Sequence, residues 1–191
     1  MDAITLSQGR NAVFLQEVEA ESGQSIKTCY QCGNCTAGCP AAFAYDMQAH
    51  QLMRGVQLGL REQVLDSASL WMCLSCSTCS QRCPNNIDVA AVMETLRHKA
   101  RREGRVAVPK VKKFWRSFLD TVRLCGRTYE LGVMVLYMMR SGRVLTDVDL
   151  APQALMKRKL GLLPHGMKGA PAISRILERY HVRCGREGVR S

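Results

Sequence analysis

The chain has 191 residues, 47% hydrophobic and 23% charged, the balance of a globular protein rather than a disordered or fibrous one. Only 6% of it is aromatic, so a core must come mostly from Leu, Val, Ala and the 10 Met; the 10 Cys and the net charge of +11 fit no bland domain. The start lacks the basic-then-apolar order of a signal peptide, and the longest apolar run, residues 131–139, is broken by Gly132 and too short to span a bilayer, which excludes secreted and membrane-spanning classes and predicts a cytosolic protein.

In chain order, Val13, Phe14 and Val18 stand at helical spacing and run out at Gly23, a residue suited to the position after a helix end. Cys29-Tyr-Gln-Cys32-Gly-Asn-Cys35-Thr-Ala-Gly-Cys39-Pro40 follows. Asp46 is placed to cap a helix carrying Met47, His50, Met53 and Arg54. Then the first motif returns as Cys73-Leu-Ser-Cys76-Ser-Thr-Cys79-Ser-Gln-Arg-Cys83-Pro84, each cysteine and the proline displaced by 44 residues. Two copies make a duplicated motif, not a solenoid.

Asp88 can cap a further helix in which Val89, Val92, Met93, Leu96 and Ala100 form one apolar stripe before Gly104. Pro109 opens another, with Val111, Phe114, Trp115, Phe118, Leu119, Val122 and Cys125 at steps of three and four up to Gly126. Residues 129–139 read as a helix stopped at Ser141-Gly142, and 152–160 and 171–180 as two shorter ones. No stretch alternates as a strand does, so the class is mainly α.

Charge divides the chain. Residues 1–96 hold 5 Lys and Arg against 9 Asp and Glu, whereas residues 97–191 hold 22 against 7. A mildly acidic front and a strongly basic back predict two parts, residues 1–105 and 106–191.

A cytosolic reducing poise disfavours structural disulfides and turns attention to metal or redox work. Three thiolates at C-x2-C-x2-C followed by x3-C-P is the spacing of a 4Fe-4S site in bacterial-type ferredoxins. A tight loop must turn three sulfurs to one point, and Gly33 and Gly38 are expected to relieve the approach to the inorganic core. Pro40 and Pro84 then fix φ and lead the chain away. In two-cluster proteins of this type the fourth cysteine serves the other cluster. That assigns Cys29, Cys32, Cys35 and Cys83 to one cluster, and Cys73, Cys76, Cys79 and Cys39 to the second. Zinc sites usually present two separated cysteine pairs, which leaves the third cysteine and the trailing Cys-Pro without a role.

The second loop carries Ser75, Ser77, Thr78 and Ser80, and hydroxyls that donate to sulfur would raise the potential of its cluster. Cys125 reads as a buried thiol on an apolar stripe and Cys184 as an incidental tail cysteine. His50, His98, His165 and His181 are scattered and are not expected to bind metal. No glycine-rich nucleotide loop and no nucleophile–base grouping appears, so no residue is expected to make or break bonds. The basic stretches 97–102 and 157–159 read as solvated helix faces. Aromatics interleaved as on an RNA-binding surface are missing, and a basic extension could instead lie against the acidic front or dock an acidic partner.

With these motifs placed, the chain resembles the iron–sulfur subunit (the C component) of heterodisulfide reductase and of related complexes in sulfur-oxidising and sulfate-reducing microbes. The resemblance covers residues 10–105. It rests on the first cysteine motif, Gln57-Leu-Gly-Leu60, Leu70-Trp-Met-Cys73 running into the second motif, and Val18-Glu-Ala-Glu-Ser-Gly-Gln24. It implies an α-helical ferredoxin fold with two 4Fe-4S clusters and a basic helical C-terminal extension for docking. It implies two partners, one that carries flavin (FAD) and a disulfide-active one with CCG motifs. This chain has no adjacent Cys-Cys pair, so it is not expected to host the chemistry of the CCG-motif partner. The rival assignments are an iron–sulfur subunit of a succinate, fumarate or glycolate dehydrogenase and a zinc-bound nucleic-acid adaptor.

Overall fold

The computed structural model describes residues 12–142, 166–167 and 169–186, which are mainly helical with no strand among them. The chain divides into two compact units, residues 1–107 and 108–191.

In the first unit, α1 (Ala12–Ser22) buries Phe14 and Val18. It ends where Gly23, at φ 66°, donates its N–H back to the Glu19 carbonyl. A 3-10 turn (Ile26–Thr28) leads into the first cysteine loop and the short α2 (Asn34–Ala37). Helices α3 (Ala49–Gln57), α4 (Arg61–Leu65) and α5 (Ser69–Met72) follow, then α6 (Thr78–Gln81) within the second cysteine loop and α7 (Val89–Arg102). Helix α7 starts as predicted, with the Asp88 carboxylate accepting from the Ala91 N–H at 3.0 Å. Its stripe of Val89, Val92, Met93, Leu96 and Ala100 is buried against α1, α4 and α5. Leu52, Met53, Val56, Val64, Leu65 and Leu70 complete one core, and Cys29, Cys73, Cys79 and Cys83 pack at its edge.

Two expectations are corrected here. Asp46 does not cap α3. That helix begins after Gln48, whose N–H donates to the Gln51 side chain at 2.8 Å. The Asp46 carboxylate instead accepts from the Ser67 and Ser69 hydroxyls (2.7 and 2.5 Å) and the Ala68 and Ser69 N–H groups (2.8 and 2.9 Å), capping α5 from across the fold. Four donors from Ser67, Ala68 and Ser69 on one carboxylate outcompete a local cap. Nor is 97–102 a solvated face. The Lys99 side chain is 8% exposed, its ammonium 2.6 Å from Glu21 and 3.1 Å from Glu17, and Arg102 also pairs with Glu21. Arg61 bridges Glu17 and Glu103 at 2.7 and 2.5 Å. These cations join the acidic α1 to the ends of α4 and α7.

The second unit holds α8 (Pro109–Cys125), α9 (Glu130–Ser141) and α10 (Ala170–Arg186). Proline opens α8, and glycines at φ 73° and 71°, Gly126 and Gly142, end α8 and α9 as predicted. Helix α10 is longer than the expected 171–180, and the helix expected over 152–160 lies outside the described residues. Ser117, Thr121 and Val133 are buried. Gly132 keeps that packing close: a Cβ there would fall 2.4 Å from the Tyr129 ring and 3.3 Å from the Thr121 methyl. Phe114, Trp115 and Leu119 remain exposed, and Cys125 is half-buried rather than buried. No helix among the described residues is long and apolar enough to cross a membrane.

Candidate iron–sulfur site

The duplication in sequence is a duplication in backbone. Gly33 at φ 80° and Ser77 at φ 59° stand before α2 and α6, and Gln31 and Ser75 are left-handed as well, at 64° and 51°. Each loop thus reverses on both sides of its second cysteine, curling into a concavity of the kind that receives an anionic core. The Gly33 carbonyl accepts from Thr36 and Ala37, and the Ser77 carbonyl from Ser80 and Gln81. Helices α2 and α6 pack on each other. Gly38 differs from its predicted role. Its φ of −95° is open to any residue, and a Cβ would sit 2.3 Å from the Arg82 side chain, so its smallness makes room for Arg82.

The eight motif cysteines fall into two neighbourhoods. Cys39, Cys73, Cys76 and Cys79 line one small recess, partly open to solvent, with Pro40, Tyr45 and Met93. Cys39 is the fourth cysteine of the other motif, so the recess brings together both halves of the repeat. The Tyr45 phenol neighbours the Cys39 and Cys73 thiols, and desolvation together with these neighbours pushes its pKa well up. In the second neighbourhood, Tyr30 is raised by desolvation and by the adjacent Cys32, Cys83 and Cys29. Cys35 interacts there with Cys29 and Cys32.

Burial raises the Cys35 and Cys79 thiols, against hydrogen bonds from Thr36 and Ser80. The Thr78 hydroxyl, 3.4 Å from the Cys76 sulfur, lowers that thiol. Cys32 and Cys76 are exposed, one per loop. Among the described residues, no three His, Cys, Asp or Glu side chains meet at single-ion spacing. The donor set is all sulfur, spread around a recess that both repeats enclose, and it fits a thiolate-held cluster.

His50 is engaged otherwise, its Nδ1 2.8 Å from the Thr36 hydroxyl. The hydroxyls of the second loop are also largely spent. Ser80 donates to Asp88 at 2.5 Å and accepts from the Ala90 N–H, while Ser75 accepts from Arg97.

Two side chains escape the sequence reading. Gln57 Nε2 donates to the carbonyls of Ile26 and Cys29 at 3.0 and 2.9 Å. Arg97 Nε and Nη2 donate to those of Leu70 and Cys73 at 2.7 and 2.9 Å. The four carbonyls are related by the 44-residue repeat, the two donors by 40. A signal existed: a four-residue gap placed after the second Cys-Pro alone pairs Gln57 with Arg97.

Residues 25–87 match the family model described as a 4Fe-4S dicluster domain. The chain is 32% identical over 94 residues to the C component of the H(2):CoB-CoM heterodisulfide,ferredoxin reductase of Methanothermobacter thermautotrophicus, covering 49% of this chain and 51% of the relative. It is 34% identical over 114 residues to a CoB--CoM heterodisulfide reductase iron-sulfur subunit of Methanopyrus kandleri, covering 56% and 59%. With an iron-sulfur subunit of the CoB--CoM heterodisulfide reductase of Methanocaldococcus jannaschii it shares 41% over 85 residues, covering 44% and 45%. The chain spans about half the length of the curated relatives it matches. The resemblance drawn from the motifs is met: the described residues are mainly helical, residues 25–87 match a 4Fe-4S dicluster domain, and the chain is similar over about half its length to the iron–sulfur C components of heterodisulfide reductases.

Proposed function

We propose that the chain is the electron-transfer subunit of a heterodisulfide reductase or related complex. In this reading it relays single electrons through two 4Fe-4S clusters between a flavin-carrying partner and a disulfide-active partner with CCG motifs. Cys29, Cys32, Cys35 and Cys83 hold one cluster, and Cys73, Cys76, Cys79 and Cys39 the other. The observation that carries this is the recess in which Cys39 leaves its own motif and joins Cys73, Cys76 and Cys79.

When bound, such clusters supply one-electron redox chemistry. The protein's part is to gather the thiolates, to shield Cys35 and Cys79 from water, and to leave Cys32 and Cys76 near the surface where a partner can approach. Ligation requires the raised Cys35 and Cys79 thiols to lose protons, so cluster uptake releases acid and weakens as pH falls. No side chain makes or breaks a substrate bond. The basic residues 106–191 serve docking.

Anaerobic isolation with iron and sulfide analysis tests this, and about eight of each per chain are expected. Co-purification of two further proteins, one with CCG motifs and one with flavin, is expected too. Pale protein that stays iron-poor after reconstitution overturns the reading. Cys83→Ala should remove the cluster of the first motif; loss of the second motif's cluster alone would refute the crossing.

A further inference from the structure

The two cysteine loops are near-copies in backbone, yet the side chains that clamp them differ in charge. Gln57, at the end of α3, holds the first loop by the Ile26 and Cys29 carbonyls. Arg97, on α7, holds the second by the Leu70 and Cys73 carbonyls and reaches Ser75 Oγ at 3.4 Å. The same two main-chain acceptors are thus served by a neutral amide in one copy and a guanidinium in the other.

Other polar contacts near the sulfurs nearly balance. Thr36 stands by Cys35 as Ser80 stands by Cys79. Gln31 Nε2 lies 3.4 Å from the Cys29 sulfur and Thr78 Oγ1 3.4 Å from that of Cys76. Each neighbourhood has one tyrosine, Tyr30 or Tyr45. Arg82 is exposed and packs over Gly38, between Cys35 and Cys39, so both sites share it. Arg54, which bonds Gln57 Oε1 at 3.1 Å, and Asp88, which accepts from Ser80, are exposed and screened by solvent, whereas Arg97 bonds a motif cysteine's own carbonyl and is half-buried, so solvent and salt screen it weakly.

We propose that Arg97 is a positioning residue that makes the site of Cys73, Cys76, Cys79 and Cys39 the higher-potential of the two, so that electrons settle there before leaving the chain. The proposal rests on the two-cluster reading above. A one-electron reduction adds negative charge to a centre already anionic, and a fixed cation beside it favours that state by Coulomb attraction. The amide of Gln57 supplies the same two hydrogen bonds without the charge. The duplication has therefore kept the loop geometry while polarising the pair.

The test is an EPR-monitored redox titration of the full-length, anaerobically purified chain carrying Arg97→Gln, which copies the twin residue. Cys76→Ser, which replaces a ligand of the second site, marks which signal is whose. The second-site midpoint is expected to fall by about 59 mV, a tenfold change in the one-electron equilibrium, while the other stays in place. Arg97→Lys keeps the charge and should restore most of the shift; Gln57→Arg should raise the first-site midpoint; Arg82→Gln should move the two together. Both midpoints unmoved or moving equally in Arg97→Gln, at full iron content, overturns the proposal. Protein that binds no iron overturns the two-cluster reading and the ranking with it.

Discussion

Helices α1, α3 and α7 of the first unit turn Phe14, Val18, Leu52, Val56, Val92 and Leu96 inward until nothing of them is exposed. Helices α8 and α9 of the second do the reverse, burying Ser117 and Thr121 while Phe114, Trp115, Leu124 and Met139 face outward. Phe14, Val18, Val92 and Leu96 on one side and Phe114 and Trp115 on the other were visible as helical periodicity. Periodicity reveals that a helix has two faces, whereas the size of the residues decides which face can meet a neighbour closely. Gly132 and the small side chains of α8 favour the polar seam, tightened by Arg140, which bonds to Ser117 Oγ at 3.0 Å and to Asp120 at 2.5 Å. The apolar faces of α1, α3 and α7 stabilise the first unit, whereas much of the apolar face of α8 is left exposed.

The sharpest way to break this contrast is Phe14→Ala, expected to cost the first unit about 3–5 kcal/mol in anaerobic urea unfolding. Lys99→Ala comes next. It removes the buried cation shared by Glu17 and Glu21, which keep Arg61 and Arg102 as partners and are about one-third exposed, so a loss of about 1–3 kcal/mol is expected in the same assay.

Asp46→Asn ranks below it, at about 1–2 kcal/mol near neutral pH, with a distinctive pH signature. Burial alone would raise the Asp46 pKa, but hydrogen bonds from Ser69, Ser67 and the Ala68 and Ser69 N–H groups outweigh it and hold the carboxyl below its usual range. A folded-state pKa below the unfolded value gives stability that is present above about pH 4 and lost as pH falls further. The asparagine variant should therefore show a shallower acid limb between about pH 4 and 2. Trp115→Ser closes the series: an exposed ring on α8 should leave stability within about 0.5 kcal/mol, and a larger loss would show that the outer face of the second unit is not free.

Much of the candidate site was legible because it is written locally. Fixed cysteine spacing, glycine after a helix, proline at α8's first turn and Asp88 ahead of α7 all act within a few residues. What stayed hidden acts over distance. Asp46 looked like a local cap because its true partners, Ser67 to Ser69, come from a segment that only the fold brings near. Lys99 sits in a basic run that resembles a wet surface until α1 supplies its two carboxylates. Gly38 was read for the wrong neighbour, because Arg82 reaches it from the other copy of the motif. The Gln57 and Arg97 pairing was masked by the change of offset from 44 to 40 residues, which defeats a single-period search.

The contact of α1 with α7, joined by Lys99, Glu17 and Glu21, fastens the first described helix of the unit to its last. A chain made from its N-terminus exposes both cysteine loops before the helix that closes the unit has left the ribosome. During synthesis the thiols are therefore open to scavenging oxidants and to cluster-delivery proteins alike.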